Sequence, residues 1–164
     1  MSRCDWIVCE RTGRWAAALR RAVMTSTANP AARQRLREVR TLDELSAILA
    51  EQLYPVVLIE VRPSNLASVL AWLPDARRSY QPMRCLALLE DFDRASRDDV
   101  AAALRAAGAV EICESPRQIQ RVVAIGVRHH AALHSNTSGL DAHQSITDWA
   151  WHLLPWQPAE RQVG

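Results

Sequence analysis

A chain of 164 residues has room for one domain and a short appendage, with too little left over for a second full core. Hydrophobic residues at 49% and charged residues at 23% exclude a disordered protein and a disulfide-stapled miniature. All 20 basic residues are Arg and face 18 acids, and a net charge of +2 is no footprint for nucleic acid.

In chain order, short apolar runs alternate with longer stretches of helical periodicity, five times over. Strands are predicted at Asp5–Cys9, Arg35–Arg40, Val56–Val61, Arg84–Leu89 and Val110–Cys113. The second is the most polar and is expected at a sheet edge; the other four read as covered on both faces. The first helix follows Gly13 and carries Trp15, Ala18, Leu19, Ala22 and Val23 on one side. Thr41 and Glu44 form a capping box for the second, with Leu45, Ile48 and Leu49 facing inward. Ser64 is the expected cap of the third, whose stripe is Leu66, Val69, Leu70 and Leu73 and whose stop is Pro74. The fourth is expected to start at Ser96, with Asp99 at the capping-box position, to bury Val100, Ala103, Leu104 and Ala107, and to end at Gly108. Ser115 and Pro116 open the fifth, striped by Ile119, Val122, Val123 and Val127.

Strictly alternating elements with short connections imply an α/β fold: a doubly wound five-stranded parallel sheet, with right-handed crossovers and helices on both faces. Ligands of such sheets gather beyond the carboxyl ends of the strands, here Glu10 and Arg11, Glu60 to Pro63, Leu89 to Asp91, and Glu114 to Pro116. The first strand-to-helix turn, Glu-Arg-Thr-Gly-Arg, matches neither G-x-G-x-x-G nor G-x-x-x-x-G-K-[ST], and no Ser stands in a G-x-S-x-G elbow. No enzyme and no cofactor are expected.

Five strand–helix units from Asp5 to about Leu133, an acid after strand one, an acid ending strand three and the Gly108-Ala109 entry to strand five resemble the response-regulator receiver family, CheY-like domains of flavodoxin-like strand order 2-1-3-4-5. The resemblance implies a site where two acids hold Mg²⁺, an Asp accepts a phosphoryl group, and a Thr or Ser and a Lys complete the set. The corresponding residues are Glu10 and Arg11, Glu60, Leu89 and Ser115, so the resemblance points to a degenerate phosphorylation site in a pseudo-receiver. Two arrangements of its charges stand open: Arg11 bridging Glu10 and Glu60 in place of a metal ion, or side chains that merely face solvent.

The receiver-like domain is expected over 1–134, and residues 135–164 as a polar linker, Ser135 to Gly139, followed by a Trp-rich segment. There Ser145 and Asp148 suggest a helix start, and Trp149, Trp151, Leu153, Leu154 and Trp156 form an apolar cluster limited by Pro155. Trp anchors suit a groove on the same chain, on another copy or on a protein partner, and these five are the candidate partner-binding residues. His129, His130 and His134 are read as helix-end dipole partners, and no metal is expected. The start of the chain lacks the pattern of a secretory leader and no run of eighteen apolar residues occurs, so a cytoplasmic location without membrane contact is expected. The isolated Cys4, Cys9, Cys85 and Cys113 agree with reduced thiols. The function expected is signalling or scaffolding through protein contact; the competing expectation is an unconventional enzyme or redox domain using the strand-end pocket or a cysteine.

Overall fold

The computed structural model describes residues 6–26, 35–52, 55–80 and 83–138, with side chains through His130. The chain separates into compact units of Met1–Ala131 and Ala132–Gly164, and of the second only the helical backbone 132–138 is described.

Five strands form one parallel sheet in the order β2-β1-β3-β4-β5: β1 (Trp6–Cys9), β2 (Leu36–Val39), β3 (Val56–Val61), β4 (Arg84–Leu89) and β5 (Glu111–Cys113). The helices are α1 (Arg14–Ser26), α2 (Leu42–Leu49), α3 (Leu66–Ser79), α4 (Arg97–Ala107) and α5 (Ile119–Ser138), the last preceded by a 3₁₀ turn, Pro116–Gln118. The predicted edge strand is β2, where only Val39 is buried; every residue of β1 and β3 is buried.

Because side chains alternate along a strand, the sheet has two cores. One holds Ile7, Val57, Ile59, Cys85, Ala87 and Leu89 under α2, α3 and α4; the other holds Trp6, Val8, Val56, Leu58, Leu86 and Leu88 under α1 and α5. The α1 and α2 stripes are buried as expected, while α4 buries Ala101 where Ala103 was expected and Val127 of α5 stays 37% exposed. Gly126 is the buried position there, and the Trp6 ring fills the space a side chain would take.

Three helix boundaries depart from expectation. The helix α3 does not stop at Pro74 but runs on to Ser79. Burial of Leu73 and Ala76 on either side of the proline offsets its cost of about 3 kcal/mol in a helix interior. Ser64 and Ser96 are not side-chain caps: Asn65 and Ser96 stand at the N-cap positions without a cap bond, and Asp93 Oδ1 instead accepts from the Ser96 N–H at 2.8 Å. Thr41 does cap α2, its Oγ1 accepting from the Glu44 N–H at 3.1 Å. Finally, α5 continues through Ser135–Ser138, which composition suggested as a linker. The Trp149–Trp156 segment lies outside the described residues, and no described helix is long and apolar enough to cross a membrane.

The His129 side chain on α5 is buried, and its Nε2 has no hydrogen-bond partner among the described residues. Burial first, then the charges of Arg84 and His130, push its pKa from 6.5 down to about 4. The unfolded chain therefore takes up a proton near pH 6.5 that the folded chain refuses until about pH 4. Stability present above pH 6.5 is lost as the pH falls through that window, by about 2 kcal/mol at pH 5. Urea midpoints at pH 7.5 and 5 should show this drop, and His129→Leu should shrink it; an unchanged pH slope in the variant would discard the assignment.

Candidate functional site

The carboxyl ends of β1, β3 and β4 bring Glu10, Glu60, Glu90 and Asp91 together with Arg14 and Arg62. Glu10 and Glu60 are among the few buried charged residues, 2% and 3% exposed. Glu60 shares strand parity with Val56 and Leu58, so it stands on the α1/α5 side of the sheet, as Glu10 does beyond Val8.

Glu10 serves α1. Gly13, at φ 79°, precedes the helix and has no side chain to cap it. The Glu10 carboxylate supplies the cap from a distance: Oε2 accepts from the Trp15 N–H at 2.9 Å and Oε1 from the Ala16 N–H at 2.6 Å. A carboxylate at a helix N-terminus is further favoured by the helix dipole. Its own backbone carbonyl accepts from Arg40 Nη1 at 2.8 Å, which ties the end of β1 to the β2–α2 connection.

Glu60 is held by two donors. The Arg11 backbone N–H donates to Oε2 at 2.7 Å, and Arg62 Nε donates to Oε1. Arg11 therefore does meet Glu60, but through its peptide and not its guanidinium, which points to solvent and forms no ion pair among the described residues. Of the two arrangements left open, the bridge from Arg11 to both glutamates is not the one observed: the Arg11 guanidinium is exposed, while Glu10 and Glu60 are buried. Arg62 takes the role because residues i and i+2 of an extended chain share a side, so its head folds back onto Glu60 while Arg11 turns outward with the start of the β1–α1 loop. The Glu60 hydrogen bond, with further help from Asp91 and Glu90, raises the Arg62 pKa above its ordinary value. The loop that carries Arg62 is braced by Asn65, whose Oδ1 accepts from the Arg62 N–H at 2.7 Å and whose Nδ2 donates to the Glu60 carbonyl at 2.9 Å.

Arg62 also reaches the turn that follows β4, where Nη1 donates to Asp91 Oδ2. Asp91 is in the left-handed region at φ 62°, a conformation Asp tolerates better than most residues. Glu90 faces the same side as Glu60 and is approached by Arg14 Nη1 at 3.3 Å. Leu89 points the other way: buried at 4% exposure, it packs in the α2–α4 core and brings nothing polar to Glu60. Ser115 is also turned to local work, its Oγ accepting from the Arg117 N–H at 3.3 Å as the cap of the 3₁₀ turn. Of the five residues expected at the site, the structure thus joins Glu60 to the Arg11 peptide, sets Glu10 as a helix cap, and directs Leu89 and Ser115 elsewhere. Arg62, Glu90 and Asp91 carry the remaining charge. Among the described residues no three His, Cys, Asp or Glu side chains are grouped so as to hold a metal ion.

Burial pushes the thiols of Cys9 and Cys113 up to about 11 and that of Cys85 higher still. A raised pKa keeps a thiol protonated and poorly nucleophilic at neutral pH. All three are free.

No protein-family model matches the chain, and no curated protein sequence matches it. Solved structures do. A CheY-like protein, TadZ, from Pseudomonas aeruginosa PAO1 superposes with a TM-score of 0.58 at 16% identity, over 79% of this chain and 94% of that one. An orphan response regulator of H. pylori gives 0.56 at 10% identity, over 77% and 95%. A pilus assembly-related protein from Burkholderia pseudomallei K96243 gives 0.52 at 15% identity, over 79% and 91%. The chain has a CheY-like receiver fold.

Proposed function

We propose that this chain is a receiver-like signalling or scaffolding module that acts through protein contact and does not accept a phosphoryl group. The observation that carries the reading is the Arg62 guanidinium seated on the buried Glu60 carboxylate, where the resemblance to receivers would put a phosphoryl acceptor. Mg²⁺ demands near-octahedral oxygen ligands. The donor set here does not fit it: both Glu10 oxygens accept peptide N–H groups of α1, and each Glu60 oxygen accepts from a nitrogen. The positive charge that a metal ion would supply is built into the chain as Arg62, so the strand ends are held closed by a fixed internal cation.

The role of Glu10, Arg11, Glu60, Leu89 and Ser115 as a degenerate phosphorylation site is part of this proposal, and so is the division into a receiver-like domain, 1–134, and a C-terminal segment, 135–164. Partner binding by Trp149, Trp151, Leu153, Leu154 and Trp156 rests on their sequence pattern, since they lie outside the described residues. Three free buried thiols support a reducing, cytoplasmic setting. Their raised pKa values argue against the competing reading of a thiol-based redox domain.

Incubation with acetyl phosphate and Mg²⁺ followed by intact-mass measurement should leave the mass unchanged. Gain of one phosphoryl group, abolished by Glu60→Gln, would overturn the proposal.

A further inference from the structure

Charge is distributed unevenly over the helices. The first turns of α2 and α4 carry Asp43 and Glu44, and Asp98 and Asp99. By contrast α1, the 3₁₀ turn and α5 contain six Arg and no acid in all their length: Arg14, Arg20, Arg21, Arg117, Arg121 and Arg128. Three of the six are met by acids from other elements, Arg14 by Glu90, Arg20 by Glu38 and Arg121 by Glu111. Arg21, Arg117 and Arg128 form no ion pair among the described residues. Arg77 of α3 and Arg105 of α4 are likewise without an ion pair among the described residues, but α2, α3 and α4 together hold five acids against four Arg, so the net positive charge of the helices lies on the α1/α5 face.

That face has a matching shape. A groove of about 380 Å³ runs between α1 and the start of α5. Buried Ala18, Ala22 and Ile119 form its apolar floor, and exposed Arg21 and Arg117 stand on its two sides. Small side chains on the floor let another backbone approach closely, while guanidinium forks at the rim suit carboxylates, which they bind bidentately.

We propose that the α1/α5 groove is a docking site for an acidic amphipathic peptide segment of a partner protein. The segment lays small apolar side chains on Ala18, Ala22 and Ile119 and sets carboxylates against Arg21 and Arg117, the helix-in-groove mode of recognition. A nucleic acid is a poorer match, because two cations on opposite sides of an apolar floor do not track a phosphate backbone. The inference rests on the reading of the chain as a protein-contact module and names the chemistry of one partner.

The test uses the full chain and a fluorescent synthetic peptide of about sixteen residues, with a Leu/Ala stripe at helical spacing and Glu on both flanks. A peptide with the same stripe and Arg flanks, a labelled DNA duplex and phosphatidylserine vesicles serve as alternatives. Anisotropy should show saturable binding of the acidic peptide that weakens as salt rises, and the paired substitution Arg21→Glu, Arg117→Glu should lower its affinity at least about tenfold. Both side chains are exposed, so an unchanged urea midpoint should accompany that loss; Arg21→Gln with Arg117→Gln, which removes charge without reversing it, should give an intermediate affinity. No saturable binding of the acidic peptide, equal binding by the charge-reversed chain, or Arg-dependent binding of DNA or vesicles in its place would overturn the proposal. None of these outcomes bears on the phosphoryl test, so the two readings fail separately.

Discussion

Arg62→Ala is expected to destabilise the chain by about 3 kcal/mol, the lower end of the cost of breaking a buried ion pair. The size comes from the partner left behind. Glu60 is 3% exposed and cannot exchange a lost guanidinium for bulk water without opening the end of β3. The lower end applies because the Arg11 N–H still donates to Glu60 and because the Arg62 side chain is itself 24% exposed. The second partner, Asp91, is 63% exposed, and an exposed pair contributes little. Asp91→Asn, which keeps a residue tolerant of the left-handed region, should thus change stability by no more than about 0.5 kcal/mol. Combining Arg62→Ala with Glu60→Gln should recover most of the loss, since a neutral amide needs no counter-charge. Urea denaturation of the four proteins measures all of this. A loss below about 1 kcal/mol for Arg62→Ala, or an equal loss in the double variant, would mean that the pair is an ordinary surface contact.

The same contact shows where the sequence is legible and where it is not. Strand positions follow from apolar runs, and the order with β2 at the edge follows from its polarity together with the receiver resemblance, because burial on both faces demands unbroken hydrophobicity that Leu36–Val39 lacks. Strand-end chemistry depends on which side each residue faces, and there a single step of parity matters. Leu89 and Glu90 are neighbours in sequence, yet Leu89 enters the α2–α4 core and Glu90 joins Glu60. Arg62 was available from the sequence by the same rule, as the residue two beyond Glu60. The resemblance points to Arg11 because it stands beside the metal position, which says nothing of where its side chain points. The reach of Glu10 to the N–H groups of Trp15 and Ala16 had a weaker signal, a glycine at the N-cap position itself, with Thr12 one residue earlier reaching only the Arg14 N–H at 3.5 Å. The passage of α3 through Pro74 had none, because the balance between a lost hydrogen bond and the burial of Leu73 and Ala76 is settled by tertiary packing.

Gly126 supplies the other large expected effect. It lies in α5, where glycine is a poor helix former and replacement by Ala ordinarily gains about 1 kcal/mol. Here the sign should reverse. A Cβ at this position would stand 2.1 Å from Cη2 of Trp6 and within 2.8 Å of two further ring carbons. The ring has nowhere to go: Trp6 is fully buried in β1, and the edge of the His130 ring meets it with centroids 5.9 Å apart. The helix must therefore lift from the sheet, which opens the contact that Ile119, Val122 and Val123 make with β1, β3 and β4. Gly126→Ala should cost about 2 kcal/mol after its gain in helix propensity, and Gly126→Val, with two more carbons on the same ring, about 3 kcal/mol or more. Trp6→Leu in the Gly126→Ala background should recover part of the loss, although by itself it removes buried area and destabilises; a double-mutant cycle on thermal or urea midpoints isolates that coupling. An Ala variant as stable as the original chain, or a cycle with no coupling, would show that α5 does not rest on Trp6. The contact also sets how α5 lies on the sheet, and with it the width of the α1/α5 groove. Gly126→Ala should consequently weaken acidic-peptide binding even where the chain remains folded, without touching Arg21 or Arg117.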